Sequence, residues 1–410
     1  MTDRTDASGS SRDDVAGPRH QASTPDTVCW RLTLEPVGTD VPWSLIVAEP
    51  GQDPTPLAAG VIRNAVDEAA ASLAIATVGE GLTMLNPLID PPRERATARA
   101  LGKSLLPAPL RAALTAAPDG RSGAGVLHSL DIAARGWLAG LPWDAMIVSD
   151  PADSSDRSDR RLVEAALICT ALAPGVAATR DRRPRPVHGR LGLSVIDAGP
   201  AFGAPAGLSP VFPGGYPSRL VGVDGLGEHE VIAPNGSPMS AGDFGETLRD
   251  QDWARLLYLG HISGHADADP SSAALVFDRD GVVEELSART WLASPDLWPA
   301  PPRVALIGCG SDDGRWHETS GLPAACVNAG ADLVTATRWT LPADAIDDRA
   351  GPVAALAVAV NRAHTSTTPI RTLRAWQLGQ LQQWRTHGLA AYSPLFWAAL
   401  ATYRTPVEAP

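Results

Sequence analysis

Lysine is almost missing from this chain. Lys103 is the single one in 410 residues, arginine carries nearly all the positive charge, and 46 acidic side chains bring the formal net charge to -12. No basic block is long enough to track a phosphate backbone, so nucleic acid is not an expected partner. Cysteine is scarce too. Cys29, Cys169, Cys309 and Cys326 are widely spaced, with no Cys-x-x-Cys pair, which speaks against a disulfide framework in a chain of this length. The opening stretch MTDRTDASGSSRDD lacks the apolar core of a secretory signal. No uninterrupted run of about eighteen apolar residues occurs that would span a bilayer. These absences predict a cytoplasmic protein with no membrane segment. The stretch Gly222-Val-Asp-Gly225-Leu-Gly227 is rich in glycine but lacks the Lys-Ser/Thr of a phosphate loop.

What is present is ordinary globular material. Hydrophobic residues make up 44% and charged residues 20%, enough for one large core or two modest ones. The 38 Gly and 37 Pro lie mostly between apolar runs and read as turn punctuation. Residues 1–27 hold hardly a large apolar side chain, cannot offset the entropy of ordering, and are expected to form a disordered N-terminal tail. Val28 to Leu34 and Trp43 to Val47 read as two strands joined by a Gly-Thr-Asp turn. Segments 61–85 and 93–116 are alanine-rich with Leu and Ile at helical spacing, the second broken at Pro107. Val126 to Ile132 and Ala145 to Val148 read as short strands around GWLAGLPWD, and DPADSSDRSDRR as a surface insertion. In the second half, strand candidates at Leu191 to Ile196, Arg255 to Ile262, Ala273 to Phe277, Val304 to Gly308 and Leu333 to Thr337 alternate with helical segments at 240–250, 321–329, 349–364 and 369–385. That alternation predicts a mostly parallel α/β sheet covered on both faces, in one domain over 28–405 without internal repeats.

In such a sheet, ligands bind beyond the carboxyl ends of the strands. Two strand ends carry reactive side chains. RLLYLGHISGHA gives way to Ser263-Gly264, with His261 inside its end and His265 just beyond, while RVALIGCGSDDG places Cys309 just past Gly308. If the two strands are parallel neighbours, an imidazole and the sulfur emerge on one edge. A free thiol is mostly protonated near neutrality, so a nearby histidine must take its proton or stabilise the thiolate. Gly308 and Gly310 would let a substrate backbone approach closely and leave N–H groups for an oxyanion. Each residue alone also has a bland reading, since a strand-end cysteine is usually a small core side chain and most strand-end histidines are merely satisfied. His261 and His265, with Asp267, Asp269 and His317, would be conceivable zinc ligands. The pair, however, straddles a strand end, and no third ligand has a recognisable interval. Cys326 reads as packing.

The fragments LLYLGHISGHA, SAALVF, VALIGC and GLPAACVNAGADLVTATRWTLP follow in order, then TLRAWQLGQLQQW and SPLFWAALATYR, with LGKSLLPAPLRAAL and LAGLPWDAMIV upstream. This ordered series, over most of residues 60–405, resembles the CHAT group of the caspase–separase clan of cysteine peptidases. The resemblance implies a caspase-like, mostly parallel α/β sheet with helices on both faces, an additional N-terminal α/β portion of the same domain, and a catalytic half at about 185–405. It implies peptide-bond hydrolysis in which Cys309 attacks the scissile carbonyl and His265 supplies the leaving amine with a proton. Backbone N–H groups of Cys309 and Ala266 would hold the oxyanion, with no metal or organic cofactor. A protein or peptide substrate is implied, and a separate regulatory protein that gates activity, since nothing here looks like TPR repeats. Arg338 and Trp339 follow a strand where the clan tends to build its primary pocket, so Arg338 is expected to pair with an acidic residue before the cut and Trp339 to line the groove. His265 and His261 lie 44 and 48 residues before Cys309, and both intervals lie near the roughly 50 of caspases, whose Q-A-C signature is absent. The small-residue context Gly264-His265-Ala266 favours His265. Family members commonly carry Gly where this chain has Ala266, and Ser-Ala-Cys where it has Ile307-Gly308-Cys309. Those departures leave open an alternative, a catalytically inactive CHAT protein acting as a binding or adaptor module.

Overall fold

The first strand follows from alternation. Trp30, Leu32 and Leu34 are buried while Arg31 is exposed, the period of two that a strand with one covered face requires. The computed structural model describes residues 27–65, 87–116, 127–149, 159–172, 176, 191–196, 229–232, 239–263, 270–279, 282–308, 321–339, 341 and 351–405. Residues 1–26 of the expected tail therefore lie outside the described residues, and Thr27, counted with the tail, is the first residue of a strand. Strand β1 (Thr27–Leu34) pairs antiparallel with β2 (Val41–Ala48) around a tight turn bridged by Val37 and Asp40. Residues Thr55–Ile62 form a third strand, β3, antiparallel to β2. This corrects the helix expected from residue 61. The run TPLAAGVI is too poor in large apolar side chains for periodicity to separate strand from helix, and residues 66–86 lie outside the described set.

Helix α1 (Pro91–Leu105) starts on Asp90, whose carboxylate accepts from the Arg93 N–H at 3.2 Å, and α2 (Ala108–Ala116) follows the break at Pro107. Strands β4 (Leu127–Ala134) and β5 (Leu167–Thr170) run parallel to β1. Between them GWLAGLPWD is not flanked by a second strand. It curls into short 3-10 turns, Trp143 donating its indole N–H to Leu138 O at 2.9 Å, and only Ile147 makes a bridge, to Arg161. The end of DPADSSDRSDRR is not a surface insertion either, because Asp159 and Arg161 are buried. Helix α3 (Leu162–Ala165) comes next.

The second half supplies β6 (Gly192–Ile196), β7 (His229–Ile232), α4 (Ala241–Asp250), β8 (Arg255–Leu259), β9 (Ile262–Ser263), β10 (Ala274–Arg279), β11 (Val282–Ser287) and α5 (Ala288–Ala293). It ends with β12 (Arg303–Ile307), α6 (Leu322–Ala329), β13 (Leu333–Thr337), α7 (Pro352–Thr365), α8 (Pro369–His387), α9 (Pro394–Trp397) and β14 (Leu400–Arg404). The large sheet has the order β3-β2-β1-β4-β5-β14-β13-β12-β8-β6-β7. Two parallel blocks, β1-β4-β5-β14 and β13-β12-β8-β6-β7, run in opposite senses and meet at the antiparallel β13–β14 pair. Strands β9, β10 and β11 form a small antiparallel sheet of their own.

Central strands read as unbroken apolar runs because both faces are covered. On one face Leu256, Tyr258, Val304, Leu306 and Val334 pack with Phe244 of α4, Trp291 of α5 and Val327 of α6. On the other, Leu257, Leu259, Ala305 and Ile307 pack with Leu356 and Val360 of α7 and Leu373 of α8. The N-terminal sheet lays Leu32, Leu45, Leu130 and Ile132 against Leu101, Leu105 and Leu110 of α1 and α2.

Candidate active site

Strands β8 and β12 are parallel neighbours with Leu259 opposite Ile307, and the ladder continues one step, Gly260 N–H donating to Ile307 O at 3.1 Å. The two chain arms that lead to the candidate histidine and cysteine therefore leave the sheet together. His265, Ala266, Cys309 and Gly310 themselves lie outside the described residues, as do Asp267, Asp269 and His317. The geometry rests on the roots of the two arms, Gly260 to Ser263 and Ile307 to Gly308.

At Gly308 the roots touch. A Cβ there would stand 2.5 Å from Gly260 O and 2.9 Å from Ile262 Cδ1, so the absent side chain makes room for the neighbouring arm. The close approach expected of a substrate backbone at this position is made by the protein's own chain. Gly308 N–H donates to Thr337 Oγ1 at 3.2 Å, and the Thr337 hydroxyl donates back to Gly308 O. The histidine arm is held from the other side. The Tyr258 hydroxyl lies 2.8 Å from both His261 O and Val276 O and accepts from Val276 N–H at 3.2 Å. Ile262 and Ser263 pair with Leu275 and Ala274 of β10. His261 sits half-buried at the strand exit.

Arg338 points elsewhere than expected. It is buried, and its guanidinium donates from Nη1 to Ala139 O at 2.9 Å and from Nη2 to Thr170 Oγ1 at 3.1 Å. Those bonds engage it inside the seam between the two parallel blocks, so the pairing with a substrate acid is not supported by its position. Trp339 is half-buried, donates its indole N–H to Leu395 O at 2.9 Å and packs with the aliphatic layer behind β12. Beside Arg338, burial pushes the Asp144 carboxyl up to about 6, a rise opposed by the Arg338 charge and by the Gln377 hydrogen bond at 3.2 Å. Asp144 Oδ2 has no hydrogen-bond partner among the described residues, and Asp144 is one of the residues that line a small cavity, with Thr170, Arg374 and Thr402.

The remaining cysteines are poor nucleophiles. Burial pushes the Cys169 thiol up to about 12 and raises those of Cys326 and Cys29, and the thiolate is the reactive form. Cys326 is packing on α6, as expected. Among the described residues no cluster of three His, Cys, Asp or Glu side chains could hold a metal ion, and no helix is long and apolar enough to cross a membrane. Thr337 and Tyr258 escaped the sequence reading. Each ends or nearly ends an apolar strand just before glycine or a turn, a weak signal without the topology.

A mostly parallel sheet of this order, flanked by helices, is a caspase-like α/β fold. The sequence profile of the CHAT domain matches residues 95–405, well over half of the chain, and the chain belongs to that family. Strands β1 to β3 precede the matched region. Two crystal structures of the Saccharomyces cerevisiae separase–securin complex are similar, with TM-scores of 0.52 and 0.50 at 8% and 9% identity. The similarity covers 93% of this chain but 30% of each of those chains, and at such identity it is one of fold. Comparison with curated protein sequences gave no match.

Proposed function

We propose that this protein is a cysteine endopeptidase acting on a partner protein or peptide through Cys309 and His265. The observation that carries the reading is the side-by-side exit of β8 and β12, with Gly308 against Gly260 and Ile262. Cys309 is the next residue after Gly308. His265 lies three residues beyond Ile262, at most about 11 Å of extended chain. Sequence thus attaches both reactive residues close to one short stretch of sheet edge, which supports the reading.

In the proposed reaction the Cys309 thiolate adds to the scissile carbonyl carbon, whose oxygen takes the negative charge. Backbone N–H groups of Cys309 and Ala266, with the loop around Gly310, stabilise that oxyanion. Collapse breaks the C–N bond, and the protonated His265 gives its proton to the departing amine. A water molecule then attacks the thioester, His265 taking its proton, and the carboxylate product leaves with the Cys309 sulfur restored. No metal or organic cofactor enters this scheme. The raised pKa values of the three described thiols support Cys309 as the nucleophile by contrast. The departure at Gly308 has a packing reason, since glycine is what the contact with Gly260 O demands. Residues 28–405 are taken as one folding unit, supported by the sheet that runs through both halves. Gating by a separate protein is part of the reading, supported by the family resemblance and by solved separase being in complex with securin.

The test is a peptide-library cleavage profile of the wild type beside three alanine variants. Cys309→Ala and His265→Ala should lose nearly all turnover with melting temperatures unchanged, because acid–base assistance is worth about 10² to 10⁴ in rate. His261→Ala should keep most of it. A folded His261 variant that is dead beside an active His265 variant would move the histidine role. Cleavage undiminished in Cys309→Ala would sink the reading, and no cleavage by any form would favour a binding module.

A further inference from the structure

We infer that Thr337 is a positioning residue for the nucleophile, a role that rests on the reading of Cys309 given above. The main-chain pairing of β12 with β13 runs from Arg303 opposite Leu333 to Leu306 opposite Ala336 and goes no further. Gly308 lies beyond it, and among the described residues no β13 main-chain bond reaches it. The Thr337 hydroxyl takes over that task, accepting from Gly308 N–H at 3.2 Å and donating to Gly308 O. One side chain thus fixes both polar groups of the residue that carries Cys309. Thr337 is itself fully buried at the end of its strand, and the next residue, Arg338, is anchored through its main-chain N–H to Ala399 O at 2.7 Å. A β-branched side chain on a strand has few χ1 choices, so the hydroxyl is held where it stands.

The opposite wall of Gly308 is Gly260 O and Ile262. Without the hydroxyl, Gly308 would be confined on that side only, free to rotate its peptide away from the histidine arm. A displacement of about 1 Å at a catalytic group can cost on the order of a hundredfold in rate. Threonine is also well chosen against its near isostere. Valine would fill the same space while leaving the N–H and C=O of half-buried Gly308 without the hydroxyl they share.

The experiment uses iodoacetamide on the full-length protein, with the alkylation rate of each cysteine followed against pH by peptide mass spectrometry. Cys169 and Cys326 are buried and report folding: they must stay protected in every variant. Wild-type Cys309 should show a midpoint well below the ordinary thiol value of about 8.5, because an imidazole beside it stabilises the thiolate. In Thr337→Val the midpoint should rise by at least one pH unit and the rate at pH 7 fall at least fivefold. Thr337→Ser, which keeps the hydroxyl, should stay within twofold of wild type. A protected, folded Thr337→Val with the wild-type midpoint overturns the inference while the reading of Cys309 stands. A wild-type midpoint at the ordinary thiol value overturns the reading and the inference together. If Thr337→Val exposes Cys169 or Cys326, Thr337→Ser alone decides through Cys309, and a midpoint raised as far as one unit would contradict the hydroxyl's role.

Discussion

Asp144 is the residue whose chemistry is most at odds with its surroundings. Its carboxyl is buried, one oxygen bonded by Gln377 and the other without a partner among the described residues, and burial pushes its pKa up to about 6 against 3.8 for a free side chain. A folded state that holds its proton more tightly than the unfolded chain loses stability as pH rises through the window between those two values. The difference corresponds to roughly 3 kcal/mol, absent below about pH 3 and fully developed above about pH 7. Asp144→Asn removes the titration. Chemical denaturation of both proteins from about pH 3 to pH 7 should therefore show the Asn variant gaining roughly 3 kcal/mol relative to wild type as pH rises. Parallel curves would mean that Asp144 titrates normally. Nothing in the sequence announced this group, which sits in the run GLPWD; only the fold brings Arg338 and Gln377 to it. What was legible of the candidate site is the pair of strand exits that lead to His265 and Cys309, because an apolar run giving way to glycine marks where each strand ends. The assignment of Arg338 failed because its position after a strand does not say which way a long side chain turns.

At the scale of elements, α1, the segment after residue 158 and α8 are tied by one buried charge pair. Arg161 donates from Nη1 to Glu94 Oε1 at 2.8 Å, from Nη2 to Glu94 Oε2 at 3.0 Å, and from Nη1 to Ala145 O at 2.8 Å. Trp384 of α8 adds its indole N–H to Glu94 Oε2 at 3.2 Å. Both charged side chains are almost fully buried. Removing one partner of such a pair strands the other and costs about 3 to 5 kcal/mol. Arg161→Met and Glu94→Gln should each lower the unfolding free energy from chemical denaturation by an amount of that order, whereas the double replacement should cost less than the two singles summed. Additive costs would mean that the pair acts as two independent charges. From sequence the polar run DPADSSDRSDRR looked like solvent-exposed chain, since two consecutive arginines give no hint that Arg161 turns inward to Glu94, 67 residues away. Helices were easier. Proline at 91, 107, 323, 352 and 369 marks starts and breaks that the structure keeps. Strands β11 and β14 were missed because Val282–Ser287 is partly exposed and Leu400–Arg404 sits in a run with no turn residue before it.

Across the whole molecule, two parallel blocks of opposite sense make up one sheet. The β13–β14 junction is where they meet, and Thr337 and Arg338 stand at its end, one reaching Gly308 and the other the Ala139 and Thr170 side. Alternating strands and helices disclosed a parallel sheet; its reversal could not be read, because a strand of five residues carries no mark of its direction. Alpha-helix α8 closes the seam, Arg374 donating to Val163 O at 2.6 Å and Glu164 O at 2.9 Å. The proposed function puts covalent peptide cleavage at the sheet edge beyond β8 and β12. Its most direct test is the site of the acyl intermediate: an acid-quenched reaction with a cleaved peptide, digested and mapped by mass spectrometry. Catalysis through Cys309 requires a hydroxylamine-labile acyl adduct on its sulfur, present in the wild type and absent from Cys309→Ala. An adduct on another residue, or cleavage that persists in Cys309→Ala, would contradict it.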